Sequence, residues 1–518
     1  MLDDEYENER KPITRALISV SDKSNLSQFA RDLNGEGIEI LSTGGTSKFI
    51  SDCGVKVKNV EEITKFPEIM NGRVKTLHPL IFGGILGRDS DKSEIDNHKI
   101  SLIDIVVCNL YPFWAAASKG VDLESLIEEI DIGGPSLIRA ASKNYNRVAV
   151  IVDIEDYAWI SKEIGEGGLK IEQRRQLALK AFRYTSYYDT MIQNELRRRF
   201  NEEDLPSSLH ITGIGTPPLR YGENPHQSAI FYSNPDVLTP SVTNSIQVQG
   251  KNLSYNNLLD FDSALSIISE FRGPCAVIVK HNNPCGVACS TTLYESYELA
   301  VQTDEQSSFG GIVALNREVD EKLSRLMLAS FKEGLIAPSF TKEALRILSE
   351  KPNLRILQID NLQEYRRTSS LRSLEGGWLW QEPDDLLVDV SNCKVVSKRK
   401  PTSQELTSLQ FGWQGVKHVK SNAIVFTKNQ STLGIGAGQM SRIDALKLAI
   451  LKSPSDFKDV VMSSDAFFPF RDCIDEAAKF GITAIIQPGG SIRDQEVIDA
   501  ANEHNIAMLF TGVRHFKH

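Results

Sequence analysis

From Arg15 onward two hydrophobic periods alternate along the chain, and few architectures accept that pattern. "RALISVS" (15–21) reads as a strand; Leu26, Phe29, Ala30 and Leu33 then fall at i, i+3, i+4 and i+7, one face of a helix. "IEIL" (38–41) is the next strand and runs into "STGGT". Further on, "IDIVVCNLY" (103–111) and "RVAVIVD" (147–153) are apolar runs rich in Val and Ile, the composition of strands covered on both faces. Strands alternating with helices predict a parallel α/β sheet. A helical stretch from about Glu172 to Phe200 closes this first unit.

The 518 residues leave room for two to four domains of ~100–200 residues each. Residues 201–218, "NEEDLPSSLHITGIGTPP", collect Pro, Gly and Ser without a period and predict a linker. The division is then a flexible acidic extension at 1–14, a first domain at 15–200, the linker, and a second domain at 219–518. Inside the second, "AVIVKHNNPCG" (276–286) faintly resembles "AIVFTKNQSTLG" (423–434), and "SSFGGIVALNREVDEKL" (307–323) resembles "SSDAFFPFRDCIDEA" (463–477). Each copy runs strand, polar turn, helix, Ser-Ser turn. A duplication predicts two lobes, about 219–375 and 400–518, joined by the charged stretch near 360–405.

Composition removes several function classes. A net charge of -10 argues against a nucleic-acid surface spread over the chain, while local basic pockets for small anions stay open. Seven cysteines, odd in number and mostly in apolar or turn contexts, suit a reducing compartment and predict a cytoplasmic protein. The opening "MLDDEYENER" lacks the apolar core of a secretion signal, and no apolar run approaches the ~20 residues of a membrane span.

Three polar turns in the first domain fall at strand ends. "STGGT" (42–46) offers backbone N–H groups, hydroxyls and a helix N-terminus before "SKFI", all suited to a phosphate. "GRVKTLHP" (72–79) adds Arg73, Lys75, Thr76 and His78, and "DIGGPSLIRAASKN" (131–144) adds Asp131, a Gly-Gly turn and Lys143. Each alone also reads as a solvated loop. Turns at strand ends converge at one edge of a parallel sheet, the usual ligand crevice.

In the second domain "LRYGENPHQ" (219–227) presents Arg220 for a phosphate and Tyr221 for stacking, or simply a Pro-stabilised loop. "KHNNPCG" (280–286) sets Lys280 beside His281 where a strand ends. A neighbouring ammonium disfavours protonation of the imidazole, so His281 can serve as a general base, with Lys280 near enough to steady negative charge. A satisfied turn histidine is the equally open alternative. His281, Cys285 and Cys289 do not make a deaminase zinc site, because the His-x-Glu and Pro-Cys-x-x-Cys spacings are missing. "GIGAGQMSR" (434–442) is GxGxG, not a dinucleotide fingerprint. "SSDAFFPFRD" places Phe467, Phe468 and Phe470 beside Asp472, an aromatic wall for a flat heterocycle or plain core packing. The terminal "TGVRHFKH" follows the strand-like "IAMLF", which predicts that its basic residues are tied down.

Taken in order, "SVSDKSNL", "STGGT", "RVKTLHP", "CNLYPF", "DIGGPSLIRAASKN", "LRYGENPHQ", "VKHNNPCG", "SNAIVF", "GIGAGQMSR", "SSDAFFPFRD" and "RHFKH" resemble the bifunctional purine-biosynthesis family that carries AICAR transformylase and IMP cyclohydrolase activities. The resemblance spans nearly the whole chain from about Arg15. It implies a methylglyoxal-synthase-like N-terminal domain and a duplicated cytidine-deaminase-like α/β domain without zinc. It implies formyl transfer from 10-formyl-tetrahydrofolate to AICAR, then dehydrative closure of formyl-AICAR to IMP. No catalytic metal is expected.

Carried over by motif, Lys23, Thr43, Gly45, Arg73 and Thr76 resemble nucleotide contacts, and Lys75, Tyr111, Asp131 and Lys143 resemble the groups that polarise the formyl oxygen and move protons. In the second domain His281 resembles the base, with Lys280 and Asn422 assisting. Arg220, Tyr221, Phe467, Asp472, Arg514, Phe516 and His518 resemble contacts around AICAR and folate. The family also implies a homodimer whose transformylase sites draw on both subunits. Two departures stand out: the acidic extension has no assigned role, and Glu333 replaces an aspartate found in some relatives. Rival readings are a chain with one working domain, a nucleotide-binding regulator, and a zinc deaminase.

Overall fold

The computed structural model describes residues 10–200, 205, 207–234, 237, 239–454 and 458–518. The chain forms two compact units, Met1–Thr212 and Gly213–His518.

In the first unit five strands form one sheet in the order Lys58–Asn59, Glu39–Ser42, Arg15–Val20, Ile105–Asn109, Ala149–Ile151, with every pair parallel. Ala16, Leu17, Ile18, Ile105, Val106 and Val107 are all buried, which is why these strands read as unbroken apolar runs. Helix Leu26–Gly35 buries Leu26, Phe29, Ala30 and Leu33, the four positions picked out by the 3.6 period. Phe29 stacks on Tyr157 with ring centroids 4.5 Å apart. Burial of a side chain of this size contributes ~1.5–3 kcal/mol. After Arg15–Val20 the chain winds outward through Glu39–Ser42 and Lys58–Asn59, then crosses to Ile105–Asn109 on the other side. That reversal opens a crevice at the carboxyl ends of Arg15–Val20 and Ile105–Asn109.

In the second unit twelve strands form one continuous sheet. From its middle outward one half runs Asn283–Cys289, Cys275–Lys280, Ile312–Leu315, Gly334–Ala337, Arg355–Gln358, Ile246–Gln249; the other runs Ser431–Gly436, Ile424–Lys428, Val460–Ser464, Ile482–Gln487, Ala507–Phe510, Lys394–Val395. Both halves follow one sequence of pairings: an antiparallel hairpin, an antiparallel neighbour, two parallel steps and an antiparallel edge. Helix Tyr255–Ile268 precedes the first hairpin and helix Ser403–Val416 the second. The faint repeat in the sequence is therefore a duplicated topology. Gly286 and Gly434 occupy matching positions in it: a Cβ at either would lie 1.8 Å from Ala300 O or 2.4 Å from Ala449 O. Each lets a helix press directly on its strand. Gly436 does the same against Ala445 O, so these glycines serve packing and not a dinucleotide.

Some boundaries move. Arg10–Lys11 pair antiparallel with Leu169–Lys170, and Arg10 bonds Glu163 and Glu166 at 2.7 and 2.6 Å, so this part of the stretch read as an extension is tied to the first unit. Residues 1–9, and 201–204 and 206 of the linker, lie outside the described residues. Ile214–Gly215, also read as linker, pair with Tyr232–Ser233 in the second unit. The connector is more than a joiner: Ser370–Leu374 and Gly377–Gln381 form a hairpin, and Lys394–Val395 pair with Leu509–Phe510. Short strands with one apolar face or none give little periodic signal.

Candidate active sites

The crevice of the first unit is a cavity of about 630 Å³. Ser19–Ser21 and Asn109 form its floor at the strand ends, and Lys23, Thr43, Gly45, Arg73, Lys75, Thr76, Tyr111 and Asp131 all line it. Two helices begin there, Gly44–Asp52 and Gly133–Lys143. The first starts two residues into the stretch read as a turn; Thr43 caps it in extended conformation and makes no side-chain bond to the helix. The N–H groups at the start of Gly44–Asp52 and three cations facing one space make a site for an anion such as phosphate, with the start of Gly133–Lys143 facing the same space.

Lys75 Nζ lies 3.3 Å from Glu68 Oε1, and Arg73 Nε donates to Glu128 Oε2 at 3.1 Å. Both pairs are partly exposed, so an arriving anion displaces the carboxylates at little cost. Asp131 is held more firmly. Its Oδ1 accepts the Gly134 N–H at 2.8 Å, and its own N–H donates to the Tyr188 hydroxyl at 2.9 Å. Burial pushes the Asp131 pKa up, against the pull of backbone N–H groups and of the Lys75 charge. A carboxylate tuned towards neutral, an ammonium within its field and the exposed phenol of Tyr111 can together move protons on a bound carbonyl compound.

Lys143 is not brought to this cavity. Its helix presents Gly133 and Gly134 to the site, and Lys143 is exposed at the far end, ~15 Å along the axis at 1.5 Å per residue. Glu68, Glu128 and Asn109 were missed as site residues. Asn109 sits inside "CNLYPF", and its Oδ1 accepts the N–H groups of Ser21 and Asp22 at 2.7 and 2.9 Å, which shapes the floor.

In the second unit Lys280 and His281 stand at the tip of the first hairpin. His281 and Asn282 have φ of 53° and 62° and are the two residues between strands Cys275–Lys280 and Asn283–Cys289. Positive φ at both central residues is the type I′ geometry that matches the twist of paired strands, and Asn and His tolerate it better than most. Lys280 Nζ donates to Phe309 O at 2.8 Å, and Asn282 N–H donates to Asp260 Oδ1 at 2.7 Å. The two readings of "KHNN" are thus compatible: it is a turn, and the turn holds an exposed imidazole at the mouth of a second cavity. That cavity, about 270 Å³, is lined by Lys280, His281, Asn283, Asp304, Ala437 and Lys452 among others.

The remaining candidates gather elsewhere. Asn422 Oδ1 accepts from Arg442 at 2.9 Å, and Arg442 is ion-paired with the buried Asp465. The C-terminal tail is anchored beside these residues: Ser421 N–H donates to Lys517 O at 2.8 Å and His515 N–H to Asp465 O at 3.0 Å. Arg514 stacks over Phe516 at 4.2 Å, and the ring of Phe516 lies 5.6 Å from that of His518. The aromatic wall is not formed as read. Phe468 is in the core and Phe470 lies under Arg493 at 4.7 Å, which leaves Phe467 partly exposed two residues from Asp465. The chain bends at 465–466 and again at 469–470, so the three rings are sent in different directions. Asp472 is exposed at the start of helix Asp472–Lys479. Arg220 Nη2 donates to Tyr221 Oη at 2.9 Å, with its guanidinium over that ring. None of these residues lines the cavity beside His281. Among the described residues no group of three His, Cys, Asp or Glu side chains is placed to hold a metal ion.

A family model described as "AICARFT/IMPCHase bienzyme" matches residues 141–452, more than half of the chain. This chain belongs to that bienzyme family. A second model, "MGS-like domain", matches residues 25–136 in the first unit, in agreement with its parallel sheet. The chain is similar to "Bifunctional purine biosynthesis protein PurH" of Lysinibacillus sphaericus (strain C3-41), 51% identical over 509 residues, 97% of this chain and 99% of that one. Proteins of the same name from Acetivibrio thermocellus and Aquifex aeolicus are 48% and 49% identical, over 98% and 97% of this chain and 100% of each of theirs. The bienzyme is an AICAR formyltransferase and an IMP cyclohydrolase, the catalysts of the last two steps of purine biosynthesis, and its transferase chemistry uses a formyl-folate.

Proposed function

We propose that the two activities are divided between the two units, with cyclisation in the crevice of the first and formyl transfer at the hairpin tip of the second. The observation that carries this is the separation of the groups: Lys75, Tyr111 and Asp131 line one cavity, and Lys280 and His281 line another in a different unit.

In the second unit the AICAR amine attacks the formyl carbon of 10-formyl-tetrahydrofolate. Its lone pair is delocalised into the imidazole ring, so a base must take the proton as the bond forms. His281 is that base, Lys280 steadies the tetrahedral oxyanion, and collapse expels tetrahydrofolate with its nitrogen protonated. Asn422, Arg220, Tyr221, Phe467, Asp472, Arg514, Phe516 and His518 lie outside the His281 cavity. This supports a site completed by a second copy of the chain in a homodimer, and the seven free cysteines support a reducing, cytoplasmic location.

In the first unit the carboxamide nitrogen of formyl-AICAR attacks its own formyl carbon and the formyl oxygen leaves as water. Holding one molecule folded on itself supplies most of the rate. The two helix N-termini with Lys23, Thr43, Gly45, Arg73 and Thr76 grip the phosphate end, while Lys75, Tyr111 and Asp131 polarise the oxygen and carry protons. The deciding experiment incubates purified protein with AICAR and 10-formyl-tetrahydrofolate and follows tetrahydrofolate and IMP in one tube. Both appear if both units work; tetrahydrofolate with accumulating formyl-AICAR would remove the first unit's role, and neither would remove the proposal.

A further inference from the structure

The duplicated fold supplies an internal control for the catalytic hairpin. Helices Tyr255–Ile268 and Ser403–Val416 have the same length and lie at the same place relative to their hairpins, so Asp260 in the first corresponds to Ser408 in the second. Lys280, His281 and Asn282 correspond likewise to Lys428, Asn429 and Gln430. In the second half the Ser408 hydroxyl turns back to Gln404 O at 3.0 Å and takes no part in the turn. In the first half the Asp260 carboxylate reaches out of its helix and accepts the Asn282 N–H at 2.7 Å, and Ser263, one turn on, donates to Asn282 Oδ1 at 3.2 Å. The same helix and hairpin are built twice, so the fold does not require a carboxylate at this position. It occurs in the half that carries the histidine.

We infer that Asp260 is a positioning residue for formyl transfer: it fastens the left-handed His281–Asn282 turn from below and so aims the imidazole at the substrate amine. This rests on the assignment of His281 as the base. Two adjacent non-glycine residues at positive φ hold their shape only where neighbours over-determine it. The turn is also held by Lys280 to Phe309 O and by Asn283 to the Lys420 N–H, but those bonds fix its two ends. Two bonds reach the backbone of the central residues: Asn283 Nδ2 donates to His281 O at 3.5 Å, within the turn itself, and the shorter Asp260 bond at 2.7 Å is the one that comes from the helix beneath. Burial makes this carboxylate costly to ionise, with the Asn282 N–H opposing that effect. A half-buried acid kept where the sister helix manages with serine points to a functional demand.

The test compares Asp260→Ser, which copies the residue used in the second half, with Asp260→Asn, which keeps an oxygen for the Asn282 N–H. For Asp260→Ser the expected result is a fall of about 10²-fold in kcat for formyl transfer, the scale of a misplaced catalytic group, with KM for AICAR within about threefold of the parent. Its thermal unfolding midpoint and its conversion of supplied formyl-AICAR to IMP stay as in the parent. Asp260→Asn is expected to recover most of the lost kcat. A folded Asp260→Ser protein with kcat within about threefold of the parent would overturn the inference, as would equal loss in the serine and asparagine variants. His281→Ala is assayed alongside: if it still transfers formyl groups, the assignment of the base fails; if it is inactive while Asp260→Ser is active, only the present inference fails.

Discussion

Asn283 Oδ1 accepts the backbone N–H of Lys420 at 2.9 Å, across 137 residues of sequence. The bond ties the base of the catalytic hairpin to the loop that carries Ser421 and Asn422, and through Ser421 to the C-terminal tail. Asn283→Ala leaves that N–H without its partner. The expected effects are a loss of about 1–3 kcal/mol from the stability of the second unit and a fall in formyl transfer. Denaturant unfolding and steady-state kinetics on the same variant measure both; unchanged values would show that the link is dispensable.

The division of labour has a reciprocal test. His281→Ala is expected to lower formyl transfer by about 10²–10⁴-fold, the usual scale for a lost general base, and to leave cyclisation of supplied formyl-AICAR intact. Lys75→Ala should do the reverse. Loss of both reactions in either folded variant would contradict two independent sites.

Gly72 stands at φ +88, and a Cβ there would meet Glu68 Oε1 at 2.5 Å and Lys75 Cε at 2.6 Å. Gly72→Ala therefore adds about 1–2 kcal/mol of backbone strain and pushes Lys75 off its place. Cyclisation is expected to weaken, with formyl transfer unaffected. An alanine variant that cyclises at the parent rate would mean that the position of Lys75 is not critical.

The second unit carries a built-in acid sensitivity. His418 is buried with Nε2 3.2 Å from Glu270 Oε1, and Lys417 Nζ lies 2.8 Å from the same oxygen. Burial holds the His418 imidazole neutral, its pKa pulled down to about 3, although Glu270 works the other way. Burial of Glu270 opposes its ionisation, but His418, Arg367 and Lys417 outweigh that and keep its carboxyl well below the usual range. Both depressed values mean that the unfolded chain binds more protons. Stability is therefore complete above the ordinary histidine pKa of about 6.5 and falls as pH drops below it. The unfolding midpoint should decline between about pH 6.5 and 5, and His418→Gln should flatten that decline. An equal slope in the variant would place the sensitivity elsewhere.

The sequence by itself determined what depends on neighbours a few residues away. The 3.6 period named the buried face of helix Leu26–Gly35, unbroken Val and Ile runs marked the covered strands, and the repeated strand–turn–helix text marked the duplication. The polar turns at strand ends were legible too, because a parallel sheet sends all such turns to one edge. Tertiary structure alone decided which of their residues meet. Lys143 shares a motif with Asp131 yet lies at the other end of its helix, and Phe468 and Phe470 leave Phe467 by itself. The counter-ion of Arg73 comes from Glu128, and the grip on the His281 turn from Asp260. Local periodicity carries no information about such partners, since strand order and helix packing set which distant side chains come within a bond's length.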